Sequence, residues 1–291
     1  MSSLLKLSPK LGWLAQDDIR PFVLARNECR VTDPGQLFSL DWFVNDFFYM
    51  DPLVIEDVYF ANALLNMEHK AFASNDMPMP RWVFYDCAIM PGFVAGFAQR
   101  TERLAPSIRK ILGEENLLGE WTPISMFITI PTMKSHEWMA HNLSSVNALI
   151  PKEDRFYGLG FLSKAFGLSY ANIEWCCGVT QWTSPAMRLH TYYGFFEVLT
   201  AYTPAHTHAT SLTYRLKVNP AEWSRFFTKE ASKEFDQRFK PAGFEVDPED
   251  EKSLIAFHKK ISHKEGPFYL DAKEIREKKL HEKLTIYNLK G

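Results

Sequence analysis

SSVNALIPKEDRFYGLGFLSKAFGLSYANIEWCCGVTQWTSPAMRLHTYYGF, from Ser144 to Phe195, reads as strand, glycine loop, helix, strand and helix in succession. Its centre is Arg155-Phe-Tyr-Gly158-Leu-Gly160. A strand that runs into two closely spaced glycines and then into a helix leaves the first amides of that helix unpaired, aimed at whatever lies in front of them. Such a turn can cradle a phosphate. Gly158 and Gly160 let the backbone approach a bulky anion with no Cβ in the way, and Arg155 adds a charge-assisted contact. The commoner nucleotide fingerprints are incomplete: there is no third glycine in register, and Phe161 and Leu162 stand where a Walker loop has lysine and a hydroxyl.

Outward from this stretch, the chain has 291 residues, enough for one large domain or two small ones. Its 33 basic and 35 acidic residues nearly cancel, so nothing argues for wholesale binding to nucleic acid or to a membrane surface. No uninterrupted apolar run of ~18 residues is present, which argues against a membrane span, and Lys6, Pro9 and Lys10 interrupt the leucines of the N-terminus too early for a signal peptide. The cysteines, Cys29, Cys87, Cys176 and Cys177, form no repeated zinc spacing and no disulfide framework, so a reducing cytoplasm is the simplest setting and no metal is expected. Aromatic residues make up 14% of the chain; they suit a large core or a greasy pocket.

Residues 17 to 75 read as mostly helical, with Asp51 before Pro52 as an N-cap. Asp41, Asp46, Asp51, Glu56 and Asp57 on this part either shape an amine site or form a solvated face. Trp82 to Ile89 and Phe93 to Ala98 read as two strands of a hairpin turning at Pro91-Gly92, Pro123 to Ile130 as a further strand, and another strand ends at Ile150. The connection between the last two holds His136 and Glu137, either pocket-facing or simply on the surface. Beyond Phe195, the runs to Tyr202 and from Ser211 to Val218 alternate like an antiparallel pair. His206 and His208 between them suit a polar turn better than a metal pair, since no third ligand is apparent.

From Asn219 onward, composition shifts to charged helix formers, predicting amphipathic helices over 223–239, 248–262 and 271–283. The expectation is therefore an α+β protein with a mostly antiparallel central sheet flanked by helices. Residues 1–218 would form its main domain and residues 219–291 a helical extension. That extension either covers the core, mediates self-association as a homodimer, or binds a partner.

Ile150-Pro-Lys-Glu-Asp-Arg155-Phe-Tyr-Gly158-Leu-Gly160 resembles the central signature of the GNAT superfamily of acyl-CoA-dependent N-acyltransferases, and Ala186-Met-Arg-Leu189-His190-Thr-Tyr-Tyr-Gly194-Phe195 resembles its second. The departure is His190, which stands where the family usually has tyrosine. The resemblance implies a GNAT-like strand–glycine loop–helix–strand unit that binds acetyl-CoA or another acyl-CoA as donor. Backbone groups of Asn147, Ala148, Leu149 and Ile150 would pair with the pantetheine arm, while Arg155 and the amides of Phe156, Tyr157, Gly158, Leu159 and Gly160 would hold the pyrophosphate. The acceptor would be the amine of a small molecule or amino acid. Protonation of the departing thiolate falls to His190, or to Tyr193 three residues on along the same helical face; histidine's ordinary pKa of about 6.5 lets it carry a proton at neutral pH. Glu174, on the second strand, is the best carboxylate for a base, although its flanking residues Ile173 and Trp175 are compatible with a solvent-facing position. An acyl-CoA-binding module without activity and an interaction scaffold are the alternatives.

Overall fold

A computed structural model describes residues 8–26, 48–53, 58–73, 79–89 and 92–291. The chain divides into two compact units, Met1–Ile173 and Glu174–Gly291.

The first unit is a sheet with helices on both faces. Its strands are β1 (Ile19–Leu24), β2 (Phe48–Met50), β3 (Phe93–Arg100), β4 (Trp121–Pro123), β5 (Ser125–Pro131) and β6 (Glu137–Ser145). β1 pairs in parallel with β2 and antiparallel with β3, β3 takes β4 and β5 antiparallel, and β5 pairs antiparallel with β6. The helices are α1 (Val58–Phe72), α2 (Arg81–Ile89), α3 (Pro106–Leu112) and α4 (Leu159–Tyr170). α4 is apolar nearly all round and buried along its length, as a helix must be when it is packed on every side. It closes onto Phe127 of β5, where a Cβ on Gly167 would stand only 2.5 Å from the ring. α1 lies on the opposite face, since its Glu68 reaches Asn142, whose register partner Ile128 points away from Phe127.

The second unit is built on β7 (Trp175–Gln181), β8 (Phe196–Thr200), β9 (Ser211–Lys217), β10 (Phe239–Val246), β11 (Phe268–Leu270) and β12 (Leu284–Leu289). They run β7-β9-β8-β11-β12-β10, each neighbouring pair antiparallel. Helices α5 (Pro185–His190), α6 (Arg225–Thr228), α7 (Lys233–Arg238), α8 (Glu251–Ser262) and α9 (Ala272–Glu277) flank this sheet. Mostly antiparallel sheets flanked by helices make this the α+β architecture expected from the sequence.

Several elements differ from expectation. Trp82 to Ile89 is the helix α2, not a strand: Phe84, Cys87 and Ala88 are buried at helical spacing, and the amides of Val83 and Phe84 both donate to Pro80 O. Its many apolar side chains made the run look strand-like, yet Trp82 is 66% exposed. Within residues 17–75, β1 and β2 are strands, because Pro21 removes a helical donor and the β-branched neighbours suit a sheet; residues 39–47 of the expected first helix lie outside the described residues.

The C-terminal part is not all helix, since it adds β10, β11 and β12. The expected 223–239 helix breaks at Lys229, which adopts a left-handed φ of 62°, and restarts where the Ser232 hydroxyl accepts from Phe235 N–H. The expected helices over 248–262 and 271–283 are present in large part as α8 and α9, which carry most of the Lys and Glu, and the strands β10, β11 and β12 fall mainly between and after the expected helices.

Candidate functional site

Gly158 caps α4 in the left-handed region, at φ 77°, which a residue with a Cβ reaches only at a cost. The first ladder bond of α4 runs from Leu162 N–H to Gly158 O, so the amide of Gly160 lies ahead of it at the helix N-terminus. Two of the expected donors are committed within the turn. Leu159 N–H donates to Phe156 O, and Phe156 N–H donates to Asn147 Oδ1 at 3.0 Å. Asn147 Nδ2 returns a 2.6 Å bond to Phe156 O, so a single side chain fixes the loop from both ends.

The segment just before this turn lines a cleft of about 540 Å³ formed by Lys10, Trp13, Arg155, Phe156, Tyr157 and the Lys152–Asp154 turn. Trp13, from the 3-10 segment Pro9–Ala15, donates its indole N–H to Tyr157 O at 3.0 Å and packs edge-on against Phe156. Lys10 sits over the Tyr157 ring. Arg155 spends Nε on Ile150 O, leaving its terminal nitrogens as further donors. Three cations, Lys10, Lys152 and Arg155, and two carboxylates, Glu153 and Asp154, thus border the cleft; Asp154 accepts from Ser107 Oγ, and the lining is left net positive, which suits an anion. Nothing in the sequence singled out Lys10, Trp13 or Lys152, which are placed there by tertiary packing.

The expected arm-binding segment is not extended. β6 ends at Ser145, residues Val146–Ala148 turn as a 3-10 segment, and the amides of Leu149 and Ile150 both donate to Val146 O. Strand-like pairing through Leu149 and Ile150 N–H is therefore unavailable in this conformation, because a 3-10 turn satisfies those donors internally. Asn147 acts through its side chain instead, and Ala148 is exposed.

In the second unit, His190 and Tyr193 come together. His190 ends α5, is 7% exposed and stacks on Tyr214 with ring centroids 5.1 Å apart. Tyr193 is fully buried; burial first, then Tyr214 and Cys176, hold its phenol far above the ordinary range, and burial does the same to Tyr214. Tyr214, which sequence reading overlooked, is thus the ring in contact with the expected acid. Glu174 does not join this cluster: its exposed carboxylate stands 3.8 Å from Lys217 Nζ.

The remaining described candidates make local contacts. His206 Nδ1 accepts the His208 amide in a turn, and among the described residues no group of side chains could hold a metal. His136 occupies a positive-φ turn position, and Glu137 accepts from Thr132 Oγ1. Asp51 caps locally by accepting from Leu53 N–H, while Asp41, Asp46, Glu56 and Asp57 lie outside the described residues.

One carboxylate that the sequence did not flag is Glu68, with no exposure at all. It accepts the Met79 amide and Asn142 Nδ2, and burial pushes its carboxyl up. On the α1 helical pattern it is one polar residue among apolar ones, and only the approach of Met79 and Asn142 satisfies it.

Fold and site together define a mixed α+β protein with a left-handed glycine cap at the N-terminus of α4. Solved structures of similar fold include the ribosomal-protein-S18-alanine N-acetyltransferase of Escherichia coli, at 14% identity over 55% of this chain and 88% of that one, with a TM-score of 0.37. An acetyltransferase of the GNAT family from Desulfovibrio desulfuricans aligns at 14% identity over 54% and 93%, TM-score 0.33. The PaiA N-acetyltransferase of Thermoplasma acidophilum, in complex with coenzyme A, aligns at 10% identity over 56% and 92%, TM-score 0.28. No family model matches the chain, and no curated protein does. At this identity the likeness is one of fold, and function is not carried over from it.

Proposed function

We propose that the chain is a GNAT-type N-acyltransferase that moves an acetyl or longer acyl group from acyl-CoA to the amine of a small molecule or amino acid. The observation that carries this reading is the left-handed Gly158 cap of α4, directly following the Lys152–Tyr157 segment that lines a cleft bordered by Lys10, Lys152 and Arg155. The Gly158 and Gly160 amides and these cations would hold the pyrophosphate. In the reaction, the amine nitrogen bonds to the thioester carbonyl carbon, the C–S bond breaks, the amine loses a proton and the thiolate gains one. Tyr193, kept neutral by burial, and His190 are the groups proposed to supply that last proton. The described cysteines, Cys87, Cys176 and Cys177, are thiols, which suits the cytoplasm as the setting.

Thermal unfolding with acetyl-CoA, CoA and pantetheine tests the cradle. The two coenzymes should raise Tm and pantetheine, which lacks the diphosphate, should not. Gly158→Glu should remove the shift. A shift of the same size in Gly158→Glu would count against the assignment.

A second reading, an acyl-CoA-binding module without turnover, is favoured by the burial of His190 beneath Tyr214 in place of the family's usual tyrosine. Thiol release against an amine panel separates the two. In the enzyme, His190→Phe lowers turnover more than cofactor affinity; in the module, no amine yields thiol at all.

A further inference from the structure

The second unit holds a separate pocket of about 300 Å³, within the size range of small-ligand sites. Its floor is one face of the sheet. Trp175 stands opposite Lys217, and Tyr269 stands opposite Glu197. Phe195 and Phe239, 5.0 Å apart edge to face, form a wall together with Arg238.

The charges of this pocket are unequally committed. Glu197 is nearly buried, and both its oxygens are taken by Arg215, in three contacts between 2.8 and 3.1 Å. That carboxylate has little left to offer a ligand. Arg238 gives one bond of its five donors to Glu234, at 3.0 Å, while its guanidinium lies over Phe195. Lys217 has only Glu174 near it, 3.8 Å away and beyond hydrogen-bond reach, and overlies Trp175. The Tyr269 phenol lines the same space, its pKa raised by burial first and then by Glu197, so at neutral pH it stays protonated and able to donate. Two carboxylates line the pocket, Glu197 and Glu234, and each already accepts from an arginine, whereas Lys217, Arg238 and the Tyr269 hydroxyl keep donors to spare. Among the charged side chains, an anion therefore finds more uncommitted partners than an amine, whose choice is the second oxygen of Glu234, and the walls are largely aromatic.

We propose that this pocket binds a small aromatic carboxylate, its ring among Trp175, Phe239 and Tyr269 and its carboxylate on Lys217 and Arg238. Donors of this kind recognise a planar anion through charge-assisted bonds, and the aromatic walls exclude water from them. The site is built from residues of the second unit alone and does not depend on the acyltransferase reading.

Calorimetric titration of the full chain with benzoate, phenylacetate and 3-phenylpropionate tests it, with acetate and phenethylamine as controls at constant ionic strength. At least one aromatic acid should bind at millimolar concentration or tighter, and acetate and phenethylamine should bind at least tenfold more weakly. Lys217→Met and Arg238→Met keep the aliphatic stems and should each weaken the aromatic acid fivefold or more, with an unchanged unfolding temperature. Trp175→Leu should weaken it too, and acetyl-CoA binding should be the same in all three variants. Absence of binding by every aromatic acid, equal binding of phenethylamine, or full affinity in the Lys217→Met, Arg238→Met double variant would overturn the proposal.

Discussion

Asn147 holds the backbone of Phe156 at both its polar atoms, accepting from the N–H at 3.0 Å and donating to the C=O at 2.6 Å. The side chain stands in for a strand partner at the point where the chain turns toward the glycines. It also spends an amide of the turn. On the proposed reading, the diphosphate is then left to the groups around Gly158 and Gly160 together with the cations of the cleft.

Asn147→Ala should loosen this turn. Loss of two part-buried hydrogen bonds is expected to cost about 1–3 kcal/mol of stability. Because the loop also positions Arg155 and Gly158, coenzyme affinity should fall by about tenfold, or ~1.4 kcal/mol. Unfolding and titration measured on one preparation check both, and unaltered coenzyme affinity would detach the clamp from the cradle.

Gly96 permits the crossing of strands at the centre of the first unit. A Cβ there would lie 2.1 Å from the Ser125 carbonyl oxygen, a backbone atom that no rotamer change can move. Gly96→Ala is expected to destabilise by on the order of 3 kcal/mol. Gly12→Ala, with nothing within 4 Å of the added methyl, should be close to neutral. Comparable denaturation midpoints for the two variants would contradict the packing described.

Glu68 gives a pH dependence with a definite sign. Its folded-state carboxyl is raised above 4.5, with burial the largest cause and the Met79, Asn142 and His69 contacts acting the other way. The folded state therefore binds this proton more tightly than the unfolded chain does. That contribution to stability is complete below the unfolded pKa and is lost as pH rises through the folded one. Glu68→Gln removes the titration while keeping an acceptor for Met79 N–H. The stability of the parent relative to this variant should therefore decline from pH 4 toward neutrality, as read from paired unfolding curves. A relative stability that grows over that range would reverse the assignment.

The glycine loop and the helix from Leu159 to Tyr170 were legible because each obeys a local rule, whereas the strand expected up to Ile150 lies earlier, as Glu137–Ser145. Glycine allows the left-handed cap, and the largely apolar Leu159–Tyr170 is long enough to read as a buried helix. The antiparallel partners β8 and β9 likewise declare themselves by alternation. Trp82 to Ile89 did not, because a short apolar run satisfies strand and helix patterns alike until Pro80 and the buried face of Phe84, Cys87 and Ala88 decide between them. The C-terminal strands were hidden for a different reason: β11 is three residues long, β10 is interrupted by Pro241 and Gly243, and all three lie mainly in the connections around charged helical segments, where a short run gives little period to read.

By itself, then, the sequence determined the fold class and the glycine turn that opens α4, since both follow from periodicity and backbone freedom within a few neighbouring residues. Only the tertiary structure decided which amides of that turn are already spent, which cations line the neighbouring cleft, that Glu174 sits on the surface, and that Glu68 is buried and His190 stacked on Tyr214. Those outcomes depend on partners far away in the chain, such as Trp13 on Tyr157 and Glu68 on Asn142. Hydrogen-bond capacity and burial are properties of a packed neighbourhood, and no window of sequence contains that neighbourhood.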